Sequence, residues 1–257
     1  MIDLIIPTYN NPHLLKRCLR SLSKMVHTPH VTTIADDAST DEEMRKWLIY
    51  LNITGYNVIV NKTRLGFIGN CNNAVAKTKG QLICLLNQDT QALSDFLAVM
   101  AQTLRDDPQI GIVGAKLLYS PEKPDLAGTI QHVGIARAKN RSPHHPFRGA
   151  PADDPCANVE RFVNAVTGAC MMVRREVWNQ LGGFDAETFK MGQFEDVDFC
   201  WRARRAGWKI KVVPRAVLYH LEHGCGEQYV AEAHDHNRQA LLRRWRRLKS
   251  DEELFQC

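Results

Sequence analysis

Leu4-Ile5-Ile6 stops at Pro7, and a few residues later the apolar period changes: Leu14, Leu15, Cys18, Leu19 and Leu22 recur at helical spacing, with Lys16, Arg17 and Arg20 on the other side. Asn11-Pro12 offers an N-cap and a proline at the first helical position. This switch from strand to helix period recurs along the first 115 residues. Residues 31–35 are β-rich and stop at Asp36-Asp37, after which Ser39 or Thr40 can cap a helix carrying Met44, Trp47, Leu48 and Leu51. A strand over 57–60, a helix over about 68–79 closed by Gly80, a strand over 82–86, a helix over about 94–105 and a strand over 110–113 continue the series. Alternation of this kind predicts an α/β fold, with a mainly parallel sheet flanked by helices and ligand sites at the carboxyl ends of its strands. Residues 7–10, Asp36-Asp37 and 87–89 all fall at such ends.

Beyond residue 119 the pattern changes. Residues 120–155 are rich in Pro, His, Arg, Gly and Asp and read as a long loop with an edge strand near 129–135. The basic centre of that loop, 137–148, reads as an acceptor-side or lid segment; His144-His145 lacks an acidic or thiol partner at ligand spacing. Order returns with 166–173, a helix through Trp178, the turn Gly182-Gly183-Phe184-Asp185, a helix over 195–206, a strand over 209–213 and a C-terminal helix over about 229–248. A chain of 257 residues can hold one such catalytic unit. No apolar run approaches the roughly 18–20 residues that cross a bilayer, and the apolar start is too short and lacks the basic lead of an export signal. A cytoplasmic location is expected. The eight cysteines form no CxxC pair and are expected to be reduced. Arg238, Arg243, Arg244, Arg246, Arg247 and Lys249 crowd one stretch. They form either a solvated helix face or a surface for phosphates, on anionic lipid or nucleic acid.

Neither a GxGxxG after the first strand nor a Walker-type phosphate loop is present, so a nucleotide would be held another way. Asp37 offers an acceptor for a base N–H, unless Asp36 and Asp37 only cap the next helix. Residues 66–72 precede or open a helix whose N-terminal amides favour an anion. Asp89, delivered by the apolar run before it, can ligate Mn²⁺ or Mg²⁺ while a diphosphate and water complete the shell. Asp196 opens a helix, as a base or as a plain cap, and Asp198 and Arg202 are spaced to pair on its face. His220 or His223 can add a ring nitrogen to the metal or serve the structure.

Ile5-Ile6-Pro7-Thr8-Tyr9-Asn10, Asp36-Asp37-Ala38-Ser39-Thr40, Gly66-Phe67 with Asn72, Leu85-Leu86-Asn87-Gln88-Asp89-Thr90, Thr167-Gly168-Ala169-Cys170, Gly182-Gly183-Phe184-Asp185, Glu195-Asp196-Val197-Asp198 and His220 follow in order over nearly the whole chain. Together they resemble the family 2 inverting glycosyltransferases of GT-A fold, in particular rhamnosyltransferase-like members. The resemblance implies a Rossmann-like nucleotide half over 1–115, an acceptor half over 116–225 and a basic helical extension over 226–257. It implies nucleotide or substrate contacts at Pro7, Thr8, Tyr9, Asn10, Asp37, Gly66, Phe67, Asn72, Asn87, Gln88 and Glu195, and Mn²⁺ or Mg²⁺ at Asp89 and His220, with His223 as the substitute. It makes Asp196 the general base. The donor would be a nucleoside-diphosphate sugar and the acceptor a glycan or glycolipid, with the enzyme resting at the inner face of the membrane. A hydroxylated base in DNA is the alternative acceptor, gripped by 137–148 and the C-terminal helix, and a non-catalytic nucleotide-binding module is the alternative of another class.

Overall fold

The computed structural model describes residues 1–140, 142–222 and 227–255; Arg141, His223, Cys225 and Cys257 lie outside the described residues. Twelve strands are present among them: β1 (Ile2–Thr8), β2 (Val31–Asp36), β3 (Asn57–Val60), β4 (Leu82–Leu86), β5 (Thr90–Ala92), β6 (Ile110–Tyr119), β7 (Ile130–His132), β8 (Ala136–Arg137), β9 (Pro143–His144), β10 (Arg161–Phe162), β11 (Cys170–Arg174) and β12 (Lys209–His220). The helices are α1 (Pro12–Met25), α2 (Glu42–Ile53), α3 (Gly66–Ala76), α4 (Phe96–Asp106), α5 (Arg175–Leu181), α6 (Glu195–Arg205) and α7 (Glu227–Arg244).

One mixed sheet runs β10-β12-β6-β11-β4-β1-β2-β3, with β5 added to β12 and β7 to β6. β1 is parallel to β2 and β4, β2 to β3, and β12 to β6. β11 runs antiparallel between β4 and β6. Helices cover both faces, and the period of two sorts the side chains between them. Ile5, Ile83, Leu85, Met171 and Val173 pack with Ile68, Val177 and Val197 on one face. Leu4, Ile6, Cys84, Leu86 and Met172 pack with Leu15, Met44 and Phe96 on the other.

Several local expectations change. Asn11 precedes α1 in a left-handed conformation and makes no side-chain cap. Asp41, rather than Ser39 or Thr40, caps α2 by accepting from the Met44 N–H. Ser39 instead binds the carboxylate of Asp36. α3 ends at Ala76, and Gly80 lies against the Asp3 carboxylate, which Arg175 also grips at 2.8 Å. β12 does not stop at Val213: it passes Pro214 through a register shift and continues to His220. A proline without its N–H is tolerated where the ladder is already broken.

Two cations of the basic segment 137–148, Arg137 and Arg148, are tied to internal partners. Arg137 is 1% exposed, its guanidinium donating to the Trp245 carbonyl and lying 5.5 Å from the Trp201 ring centroid. Its backbone N–H meets Asp251. Arg148 pairs with Glu222, Arg238 with Ser142, and Arg244 with Asp185 and Asp198. Helix α7 ends at Arg244, so Arg246, Arg247 and Lys249 follow the helix instead of sharing its face; with Arg243 they remain exposed. Cys18, Cys71, Cys84, Cys170 and Cys200 are free and buried, as expected. Cys156 departs from the reduced state predicted for it, being disulfide-bonded. Among the described residues no helix is long and apolar enough to cross a membrane.

Candidate active site

At the carboxyl ends of β1, β2 and β4 the sheet opens into a cavity of about 340 Å³. Pro7, Thr8, Tyr9, Asp37, Gly66, Phe67, Asn87, Gln88, Asp89, Glu195, Asp196 and His220 all line it, so most of the residues picked from sequence converge on one space. Asn10 and Asn72 do not line it. The Asn10 side chain accepts from the backbone N–H groups of Thr40 and Asp41, tying the loop after β1 to the one after β2. Asn72 exchanges two hydrogen bonds with the backbone of Phe184, at 2.8 and 3.0 Å, and clamps α3 to the turn after α5.

The register of the long strand explains why residues 89 and 220 meet. β12 pairs antiparallel with β5, and His220 stands opposite Thr90. His220 Nε2 thereby comes to 3.2 Å from Asp89 Oδ1 and 3.4 Å from Asn87 Nδ2. Its other ring nitrogen, Nδ1, is 2.7 Å from Gln131 Oε1. An amide oxygen only accepts, so Nδ1 carries a proton in this contact. Nε2 faces the Asp89 carboxylate, and a neutral ring offers a cation a lone pair on that side. Asn87 Oδ1 is buried beside this pair without a hydrogen-bond partner among the described residues. Such a mixed oxygen and nitrogen donor set fits a divalent cation of the Mn²⁺ type. No group of three or more His, Cys, Asp or Glu side chains gathers there among the described residues, so ligands from outside the chain would complete the shell.

The opposite wall is built by the start of α6. Asp196 Oδ2 accepts from the Gly168 N–H at 2.9 Å, and Oδ1 from the Val197 N–H at 2.7 Å. Burial nonetheless pushes its carboxyl above the ordinary range, against these hydrogen bonds. Burial raises Glu195 well above its ordinary value too, with the neighbouring Asp196 charge adding to it. Glu195 Oε2 is buried and unpartnered among the described residues. A carboxylate moved toward neutrality and open to the cavity is suited to take a proton.

Other lining groups are mainly occupied with shape. Asp37 accepts from the backbone N–H groups of Leu65 and Gly66 and from Asn61, which folds residues 61–66 against the strand end. Gly66 has φ +72°, and a Cβ there would meet Met191 Cα at 2.7 Å, so both conformation and space require glycine. Gln88 bridges Thr8 and the Tyr9 carbonyl. Sequence reasoning missed Arg64, whose guanidinium lies 4.0 Å from the Tyr9 ring centroid, together with Asn70, Met191, Gly192, Gln193 and Glu222 in the lining. It also missed Gln131, whose contact with His220 spans 89 positions of chain. Thr167-Gly168 is visible as a motif, but nothing in its pattern announces the amide that receives Asp196.

A model of the family described as glycosyltransferase like family 2 matches residues 2–246. N-acetylglucosaminyl-diphospho-decaprenol L-rhamnosyltransferase of Mycobacterium tuberculosis is 26% identical over 94% of this chain and 83% of its own length. O-antigen biosynthesis protein RfbC of Myxococcus xanthus is 29% identical over 86% of this chain, which spans 17% of that relative. Among solved structures, the mannosyltransferase PcManGT of Pyrobaculum calidifontis, in complex with GDP-Man and Mn²⁺, superposes with a TM-score of 0.65 at 18% identity, over 97% of this chain and 65% of its own. The fold expected from sequence is therefore the one present: a GT-A arrangement of a mixed sheet flanked by helices.

Proposed function

The chain belongs to glycosyltransferase family 2, and from that we propose that it moves a sugar from a nucleoside-diphosphate sugar to an acceptor hydroxyl with inversion at the anomeric carbon. The single observation carrying this reading is that the Asp89–His220 pair and the Asp196 carboxylate line one cavity. Asp89 and His220 would hold a divalent cation, with Mn²⁺ favoured over Mg²⁺ because one ligand is a ring nitrogen. When bound, that cation supplies positive charge against the diphosphate of the leaving group. Residues 1–115 serve the nucleotide, with Tyr9 and the Arg64 guanidinium over its ring beside the strand ends, and 116–225 serve the acceptor.

Asp196 takes the proton of the attacking hydroxyl as the new C–O bond forms and the bond to the diphosphate breaks. The Gly168 N–H and its own helix start fix the carboxylate for this task. Gln131 holds the His220 ring, and Asn87 stands beside it.

The acceptor is a lipid-linked or cell-surface polysaccharide precursor, which the names of the rhamnosyltransferase and O-antigen relatives support. The exposed Arg243, Arg246, Arg247 and Lys249 would then rest on the anionic cytoplasmic leaflet. Arg137, Arg148 and Arg244 are turned to internal partners, which takes them out of the phosphate grip that the DNA reading needs.

A thermal-shift panel of UDP, dTDP and GDP sugars with and without Mn²⁺ tests the donor, because a ligand of the native state raises apparent stability according to its affinity. A rise that needs both sugar nucleotide and metal, followed by metal-dependent release of nucleoside diphosphate, is expected. Absence of any such shift and release across the panel would overturn the reading. Recovery with anionic vesicles is expected over salt-sensitive retention on duplex DNA.

A further inference from the structure

Between the turn at 182–185 and α6, the chain makes an unusual bend. Met191, Gln193 and Phe194 have φ of 60°, 76° and 67°, a region that non-glycine residues rarely occupy. Such residues persist only where surrounding structure holds them. One side chain from α7 fastens the backbone on either side of them. Asn237 is fully buried, and its Nδ2 donates to the carbonyls of Lys190, Gly192 and Gln193 at 2.9, 2.7 and 3.2 Å. Its Oδ1 accepts from the Lys190 N–H at 2.9 Å. The bend is tied a second time by the Phe67 N–H, which donates to the Met191 carbonyl at 2.6 Å.

The location of the bend gives this clamp a purpose. Met191, Gly192 and Gln193 line the cavity, and Phe194 is the left-handed entry to the helix that opens with Glu195-Asp196. Gln193 Oε1 is buried there with no hydrogen-bond partner among the described residues. An amide oxygen left so in a cavity wall is matched by a hydroxyl hydrogen, the commonest group on a sugar.

We propose that Asn237 is the positioning residue that locks 190–194 into a sugar-facing wall, and that Gln193 on this wall accepts a hydrogen bond from a hydroxyl of the bound sugar. The inference rests on the transferase reading for the identity of the ligand, but not for the clamp. Asn237 touches no substrate; it acts through the bend, and through it on the entry of α6.

The test compares Asn237→Ala, Asn237→Asp and Gln193→Ala with Leu241→Ala, a core truncation on the same helix that leaves the bend's hydrogen bonds intact. Asn237→Asp keeps the acceptor for Lys190 and turns a carboxylate toward the three carbonyls. Hydrogen exchange at the Lys190 and Phe67 amides should accelerate in both Asn237 variants relative to the remaining core amides, and not selectively in Leu241→Ala. Below the melting temperature, kcat should fall about 10- to 100-fold in the Asn237 variants, with donor KM within about threefold, while Leu241→Ala keeps kcat near wild type. Gln193→Ala, which breaks no internal bond of that oxygen, should fold normally and lose about 3- to 10-fold in kcat/KM for the sugar donor. Unchanged exchange at both amides, or equal kcat losses in Asn237→Ala and Leu241→Ala, would overturn the clamp. Wild-type kinetics in Gln193→Ala would overturn the sugar contact. Failure of the wild-type enzyme to turn over any nucleotide sugar would sink the transferase reading and the sugar contact with it, and the exchange measurement would still decide the clamp.

Discussion

The two walls of the cavity are made in different ways. One consists of the ends of β1, β2 and β4, where parallel strands stop in register and deliver Thr8, Asp37 and Asp89 beside each other. Its geometry follows from strand order and a few short turns. The other wall, 190–196, is a bend of left-handed residues secured by Asn237, more than forty positions away. Asp89, the proposed metal ligand, sits on the wall the sheet dictates, and Asp196, the proposed proton acceptor, sits on the wall that distant contacts must hold.

Replacing the proposed base breaks the comparison most severely. Asp196→Asn should lower kcat by about 10²–10⁴-fold and leave nucleotide-sugar binding by thermal shift nearly intact; an equal loss of binding would show that the two walls do not divide the work. Asp89→Ala should instead abolish the part of that shift which depends on Mn²⁺. A smaller effect belongs to Gln131→Ala, which frees the His220 ring and should weaken metal affinity by about 10- to 100-fold, read by titrating Mn²⁺ against melting temperature.

Protonation sharpens the contrast. Because burial raises the Asp196 carboxyl, kcat/KM should climb with pH along a limb above the ordinary carboxylate range, and this limb should vanish in Asp196→Asn. The stability effect has the opposite sense. A folded-state value above the unfolded one contributes stability that is full below the ordinary carboxylate range and is lost as pH rises through the raised value. Asp196→Asn should therefore melt higher than wild type near neutral pH, with the gap narrowing in acid. The smallest effect is expected at Asn72, whose two bonds to Phe184 lie outside the cavity. Asn72→Ala should destabilise by about 1–2 kcal/mol in chemical denaturation while leaving KM for the donor within about twofold.

The same division decides what could be read from the chain alone. Period switches and strand-end acids mark the first wall locally, so Pro7, Asp37 and Asp89 were found by pattern. His220 stands out beside His223 as a possible ring-nitrogen ligand, and only the resemblance chooses between the two. The strand bringing His220 looks finished at Val213, because Pro214 interrupts the apolar pattern, and the register shift that carries β12 onward has no local signal. Arg137, counted among the 137–148 charges, misled for a related reason. Composition records that Arg137 is a cation, but not that Trp201 and Trp245 stand ready to enclose it. Gln131 and Asn237 escaped notice because lone amides look like any other polar surface residue until long-range contacts define their partners.

Enclosure of Arg137 also bears on how the chain comes together during synthesis. The cation lies near the middle of the sequence, whereas the Trp245 carbonyl and Asp251 that receive it leave the ribosome more than a hundred residues later. Until then the nascent polypeptide must keep that guanidinium wet, so closure of this region is a late event in its maturation. Proteins halted before residue 245 should remain open there and prone to capture by chaperones.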